Sequence, residues 1–169
     1  KAQLIRLLTG IVDNQVLSHV LYFKGGTCAT LLGYLDRFSV DLDFDLQNIS
    51  ELEKLRKEFH SVFKKSGFVL KDESKIALDF LVSYKNKPNK RSTIKIDAIG
   101  TYESYNIYKP QFIQEIDRYV QCQTIETMFA HTLIATKERY TKNKTIAARD
   151  LYDLHYLFSH GYSYNPEIV

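Results

Sequence analysis

The sequence predicts an α/β or α+β core followed by a helical C-terminal subdomain. Three observations carry that prediction. Helix and strand periodicities interleave up to about residue 120; the segment 38–46, FSVDLDFDL, alternates strictly between apolar and acidic residues; and from Thr124 onward every periodic segment is helical. At 169 residues, with 44% hydrophobic and 25% charged content, the chain has the make-up of one ordinary globular domain with a real core. We place the core at 1–120 and the helical subdomain at 121–169.

The elements follow in order. Residues 3–23 read as helical and then extended, with Leu4, Leu7, Leu8 and Ile11 on one face and an apolar run ahead of Gly25-Gly26. CATLLGYL returns to helical character, interrupted by Gly33. Residues 38–46 form a half-buried strand, Val40, Leu42, Phe44 and Leu46 on one face and Asp41, Asp43 and Asp45 on the other. Ser50 and Glu53 fit a capping box for a helix carrying Leu52, Leu55, Phe59, Val62 and Phe63, which Gly67 stops. FVLKD, IALDFLVSY and TIKIDAI read as strands, the last two a hairpin around KNKPNKRS; 101–117 has no recognisable period, and RYVQCQ is one more short strand. Two helices close the chain, at 125–140 and 147–159, the second with Leu151, Leu154, Leu157 and Phe158 as its core face.

Composition removes several function classes. A net charge of +3 makes no chain-wide case for nucleic-acid binding, although Lys85, Lys87, Lys90, Arg91 and Lys95 cluster at one turn and Lys137, Arg139, Lys142 and Lys144 at another. Such runs are ordinarily solvated surface; they also suit phosphates. Cys28 and Cys122 have neither metal-site nor disulfide-framework spacing, so free thiols in a reducing cytoplasm are expected. No apolar run is long enough to span a membrane, and no signal peptide is evident.

Asp41 and Asp43 share one strand face, and like charges that close repel unless a cation neutralises them. Aspartate is a poor strand former, so three in five positions need a reason. Hard oxygen donors without histidine or cysteine favour Mg²⁺ or Mn²⁺. Such a pair can hold ions that bridge nucleotide phosphates, with Asp97 as the natural third carboxylate, Asp79 a weaker one and Asp45 the spare. The plainer reading is the wet face of an edge strand. Gly25-Gly26-Thr27 lets backbone N–H groups approach a phosphate, with Thr27 capping the next helix; alone it is more often only a tight turn, and it is neither a Walker loop nor GxGxxG.

Taken together, the glycine pair, the helix and the aspartate–x–aspartate strand resemble the polymerase-beta-like nucleotidyltransferase superfamily. FKGGTCATLLGYLDRFSVDLDFDL resembles, more narrowly, the AbiEii/AbiGii nucleotidyltransferase toxins, through Lys24, Gly25, Gly26, Thr27, Arg37, Ser39, Asp41 and Asp43; ARDLYDLHYLF resembles their closing motif through Arg149, Asp150, Tyr152 and Asp153. The resemblance implies an α+β nucleotidyltransferase-like mixed sheet flanked by helices. It implies a Mg²⁺-dependent transfer of an NMP from an NTP to an acceptor, RNA or tRNA by analogy, with an antitoxin partner. Lys24 to Thr27, Arg37 and Ser39 would bind nucleotide, Asp41, Asp43 and Asp97 would hold metal, and Asp150 or Asp153 would serve the chemistry.

One departure stands out. The family commonly places a lysine where AHTLIA has Thr132, and Lys137 is the nearest substitute. That keeps a second expectation open: a degenerate transferase fold that binds nucleotide or protein without turnover. His131 reads as a satisfied helix residue, and Tyr102, Tyr105 and Tyr108 as covering a core edge or stacking on a base.

Overall fold

The protein's structure is a computed structural model that describes residues 1–47, 51–86, 91–101 and 103–169, with side chains at 99–101 set aside. Helices α1 (Ala2–Val12) and α2 (Gln15–Val20) lead into β1 (Leu21–Lys24), which runs directly into α3 (Gly25–Leu31). Then come β2 (Leu42–Leu46), α4 (Leu52–Lys65), β3 (Val69–Glu73), β4 (Asp79–Ser83) and β5 (Thr93–Thr101). A hairpin of β6 (Tyr108–Ile113) and β7 (Arg118–Gln123) precedes α5 (Ile125–Asn143) and α6 (Ala148–Ser159).

The seven strands form one mixed sheet in the order β3-β4-β5-β2-β1-β7-β6. β1 pairs antiparallel with β2 and parallel with β7, and β2 pairs parallel with β5. This is the expected α+β architecture. The acidic strand β2 therefore lies at the centre of the sheet, so its aspartates are not edge-strand charges.

Local chemistry explains most boundaries. The α1 face of Leu4, Leu7, Leu8 and Ile11 is buried as its periodicity predicts. Asn14 caps α2, its side chain accepting from Val16 and Leu17 N–H. Gly67, at φ +71°, ends α4, with the Phe68 N–H returning to the Phe63 carbonyl at 2.8 Å. Phe59, Phe63 and Phe80 pack α4 onto the sheet. The Ser50 half of the expected capping box falls outside the described residues.

Three expectations are corrected. The acidic strand is shorter than 38–46: Phe38–Asp41 has no strand pairing, and the Thr27 hydroxyl donates to the Asp41 carbonyl at 2.5 Å instead. The segment 101–117 contains β6, hidden from a periodicity reading because Pro110 interrupts it; β6 lies at the sheet's edge, where a missing N–H is tolerated. In α6 the buried residues are Asp150, Asp153 and Leu157, while Leu151 and Phe158 are about half exposed. Ion pairs with Arg37 and Arg139 turn the acidic face inward.

Both cysteines are free and buried. Burial, followed by the neighbouring Cys122, pushes the Cys28 thiol well above its ordinary value. Among the described residues no helix is long and apolar enough to cross a membrane.

Candidate active site

β1 and β2 pair so that Lys24 stands opposite Asp43, and the parallel β2–β5 register sets Asp43 beside Asp97. Asp41, just ahead of β2, adds a third carboxylate to the same wall. These groups open into a cleft of about 530 Å³, closed on its far side by α5 and α6. Gly25, Gly26, Arg37 and Ser39 also line it, as do Asp150 and Asp153. Segments 129 residues apart, Lys24 and Asp153, thus share one cavity.

The Asp43 carboxyl is raised to about 6, first by burial, then by the negative charges of Asp97 and Asp41, with Lys24 and Lys95 pulling the other way. Its two neighbours have cations: Arg91 lies 3.1 Å from Asp41, and Lys95 lies 3.5 Å from Asp97 and 3.2 Å from Asp79. Among the described residues, no three Asp, Glu, His or Cys side chains are gathered into a ready metal-binding group. The donor set still suits a hard divalent ion, because a half-buried carboxylate flanked by two more gathers oxygen ligands on one cleft.

The glycine pair does something its sequence did not reveal. Gly25 has φ +75°, and a Cβ there would lie 2.6 Å from Asp43 Oδ2; a Cβ on Gly26 would lie 2.6 Å from Arg37 Nη2. The pair makes room for the two side chains that pack against it. Thr27 is not the helix cap: it is buried inside α3, whose N-cap is Lys24, and it does not line the cleft.

Arg37 holds Asp153 through two parallel bonds, Nε to Oδ1 at 2.5 Å and Nη2 to Oδ2 at 2.6 Å. That pairing raises the Arg37 pKa further. Asp150, by contrast, is 92% buried and its Oδ2 accepts no hydrogen bond, although the Arg139 guanidinium lies 3.3 Å away and that of Arg149 3.8 Å from Oδ1. The two aspartates of the closing motif therefore differ: Asp153 is committed to Arg37, and Asp150 has acceptor capacity to spare.

Lys137 is excluded from the cleft. It lines a separate groove with Leu133, Ile134 and Thr141. Arg139 of α5 does reach the cleft; the sequence places it only in a basic cluster suited to phosphates and does not single it out. The signal was present: Arg139 follows Thr132 by seven residues, about two full turns, whereas Lys137 at five points away. Thr132 lines the cleft, but its hydroxyl donates back to the Met128 carbonyl at 2.9 Å.

Asp45, the spare carboxylate of the three, is a buried anion rather than a surface charge. It is 2% exposed, with Lys24 Nζ at 2.5 Å from Oδ1 and both the Tyr108 hydroxyl (2.6 Å) and Gln123 Nε2 (2.7 Å) donating to Oδ2. Tyr108 is thereby hydrogen-bonded inward and in tilted ring contact with Tyr22 rather than presented to a base, and burial followed by Asp45 raises its pKa. His131 contacts Asn106 at 2.6 Å, and burial followed by the Lys24 charge lowers its pKa. Tyr105 is exposed, and Tyr102 lies outside the described residues.

Comparison with known proteins agrees with this architecture. Residues 6–168 match the family described as nucleotidyl transferase AbiEii toxin, type IV TA system. A putative nucleotidyltransferase from H. pylori superposes with a TM-score of 0.62 at 23% identity, over 95% of this chain and 67% of its own. JHP933 from Helicobacter pylori gives 0.59 at 22%, over 95% of this chain and 65% of its own, so the present chain spans about two thirds of both. The antibiotic-resistance factor ANT(2'')-Ia gives 0.55 at 14%, over 93% of this chain and 84% of its own. At these identities the likeness is one of fold. No curated protein sequence matches significantly.

Proposed function

The chain belongs to the AbiEii family of nucleotidyl transferase toxins, and on that basis we propose that it moves an NMP from an NTP to a hydroxyl of an RNA acceptor, tRNA being the class the resemblance suggests. The observation that carries the proposal is the raised carboxyl of Asp43, held between Asp41 and Asp97 in a cleft that Gly25 and Gly26 also line. The family's description as part of a type IV toxin–antitoxin system brings an antitoxin with it. The cytoplasm is the proposed place of action.

Asp41 and Asp43, with Asp97, would hold Mg²⁺ or Mn²⁺, in competition with Arg91 and Lys95 for the outer carboxylates. When bound, that ion supplies charge neutralisation at the phosphates. In the reaction the acceptor oxygen forms a bond to the α-phosphorus, the bond to pyrophosphate breaks, and the hydroxyl proton passes to Asp97. Lys24, at the end of β1, and the backbone of Gly25 and Gly26 receive the β- and γ-phosphates. Arg37 and Ser39 contribute differently: Arg37 shapes the cleft through Asp153, and Ser39 offers its hydroxyl at the wall. Arg139 takes the part expected of Lys137, opposing the charge of the leaving pyrophosphate, and Asp150 orients it. The arrangement relies on fixed charges that face the places where negative charge develops.

The folded-back hydroxyl of Thr132 favours a second reading, a binding module without turnover. Incubation with each labelled NTP, Mg²⁺ and total RNA separates the two. We expect label transfer by the wild type and loss of transfer in Asp43→Ala. Nucleotide binding without transfer by the wild type would establish the module, and transfer that survives Asp43→Ala would refute the site assignment.

A further inference from the structure

Lys24 faces a choice between two carboxylates. On β2, Asp43 stands directly across from it in register and Asp45 lies two residues along the same strand, so both are within reach of a flexible four-carbon stem. The ammonium goes to Asp45, at 2.5 Å. The reason lies behind the sheet face. Tyr108 from β6 and Gln123 from β7 both donate to the other oxygen of Asp45, and Asn106 in turn donates to the Tyr108 hydroxyl at 3.2 Å and meets His131 of α5 at 2.6 Å. These donors stabilise Asp45 as a buried anion and hold its free lone pairs toward Lys24.

We infer that Asp45 is a positioning residue, whose carboxylate draws the Lys24 ammonium away from Asp43 and fixes it at the cleft wall. The inference rests on reading the cleft as a nucleotide and metal site. It explains why a third aspartate follows the first two: Asp41 and Asp43 face the cleft as candidate ligands, while Asp45 governs a cation that would otherwise neutralise one of them. Without Asp45, the nearest anion for Lys24 is Asp43, and the ion pair would compete with a divalent cation. Lys24 would also lose its fixed place beside Gly25, where a phosphate would meet it.

The test uses Asp45→Asn, which keeps the shape and the acceptor for Tyr108 and Gln123 but removes the charge. Mn²⁺ binding is followed by calorimetry on the full chain. Asp45→Asn is expected to weaken it about tenfold, in the range seen when supporting groups around a metal site are lost. Lys24→Met in the same background is expected to restore it, an outcome that a general loss of structure does not produce. Unchanged Mn²⁺ affinity in Asp45→Asn, or no recovery in the double variant, would overturn the inference. Asp45→Ser, which removes the charge but leaves a hydroxyl as acceptor, should shift affinity in the same direction, and it serves if Asp45→Asn does not fold. A crystal structure of metal-free Asp45→Asn, or of Asp45→Ser in its place, decides the matter without any metal. Lys24 Nζ turned to Asp43 supports the inference, and Nζ left in its present position refutes it. Failure of the wild type to bind Mn²⁺ would count against the proposed function alone.

Discussion

Arg37 and Asp153 lie 116 residues apart in sequence and grip each other through two parallel hydrogen bonds of 2.5 and 2.6 Å. This pair ties the loop before β2 to α6, and both side chains are largely buried, at 18% and 9% exposed. Removing one partner strands the other charge. Asp153→Asn or Arg37→Met is expected to destabilise the protein by about 3–5 kcal/mol, and replacing both by apolar residues should cost less than either single change. Urea denaturation of the three variants measures this.

The glycine pair should respond unequally to alanine. At Gly25 the positive φ and the 2.6 Å approach to Asp43 Oδ2 leave no room for a Cβ. Gly25→Ala is expected to cost about 1–3 kcal/mol in stability and to abolish transfer. At Gly26 the obstructing atom is the end of the Arg37 side chain, which can retreat. Gly26→Ala should therefore keep partial activity and lose stability through a loosened Arg37–Asp153 pair. Thermal denaturation and label transfer on both variants check the contrast.

The Asp43 carboxyl sets a pH dependence. Its folded pKa of about 6 lies above the ordinary 3.8, so between those values the folded state holds a proton that the unfolded state has released. Metal-free stability therefore falls as pH rises from about 4 to about 6 and stays low above that. Asp43→Asn removes the effect. It is expected to be more stable than wild type by roughly 1–3 kcal/mol at pH 7.5 in EDTA, with the advantage fading toward pH 4. Denaturation curves across that range test the sign.

The cation on α5 can be identified by exchange. Arg139→Ala should lower kcat/KM for the NTP by about 10- to 100-fold, the worth of a charge-assisted contact. Lys137→Ala should change it by less than about twofold, as for an exposed charge remote from the cleft. Thr132→Lys placed in the Arg139→Ala background should recover activity. Steady-state transfer assays on the four proteins decide the assignment.

Much of the fold was legible because local patterns dominate it. The helical faces of α1 and α4, the hairpin of β4 and β5, and the short strand β7 all appear where periodicity predicts them. β6 was hidden because Pro110 breaks the strand pattern, and only its pairing with β7 reveals it. The core face of α6 was misread because leucine spacing is blind to ion pairs. Arg37 and Arg139 turn Asp150 and Asp153 inward and leave Leu151 and Phe158 outward.

By itself the sequence determined the glycine turn, the acidic strand and their spacing, since these depend on residues close along the chain. Which charge meets which was decided only by the tertiary structure. Asp43 acquires its raised pKa from burial in the folded cleft wall and then from Asp97 on a neighbouring strand, Asp45 its burial and Lys24 partner from donors on β6 and β7, and Asp150 its distinction from Asp153 through an arginine 116 residues from the latter. Electrostatic energies depend on distance and burial in space, and the linear spacing of residues on separate elements specifies neither.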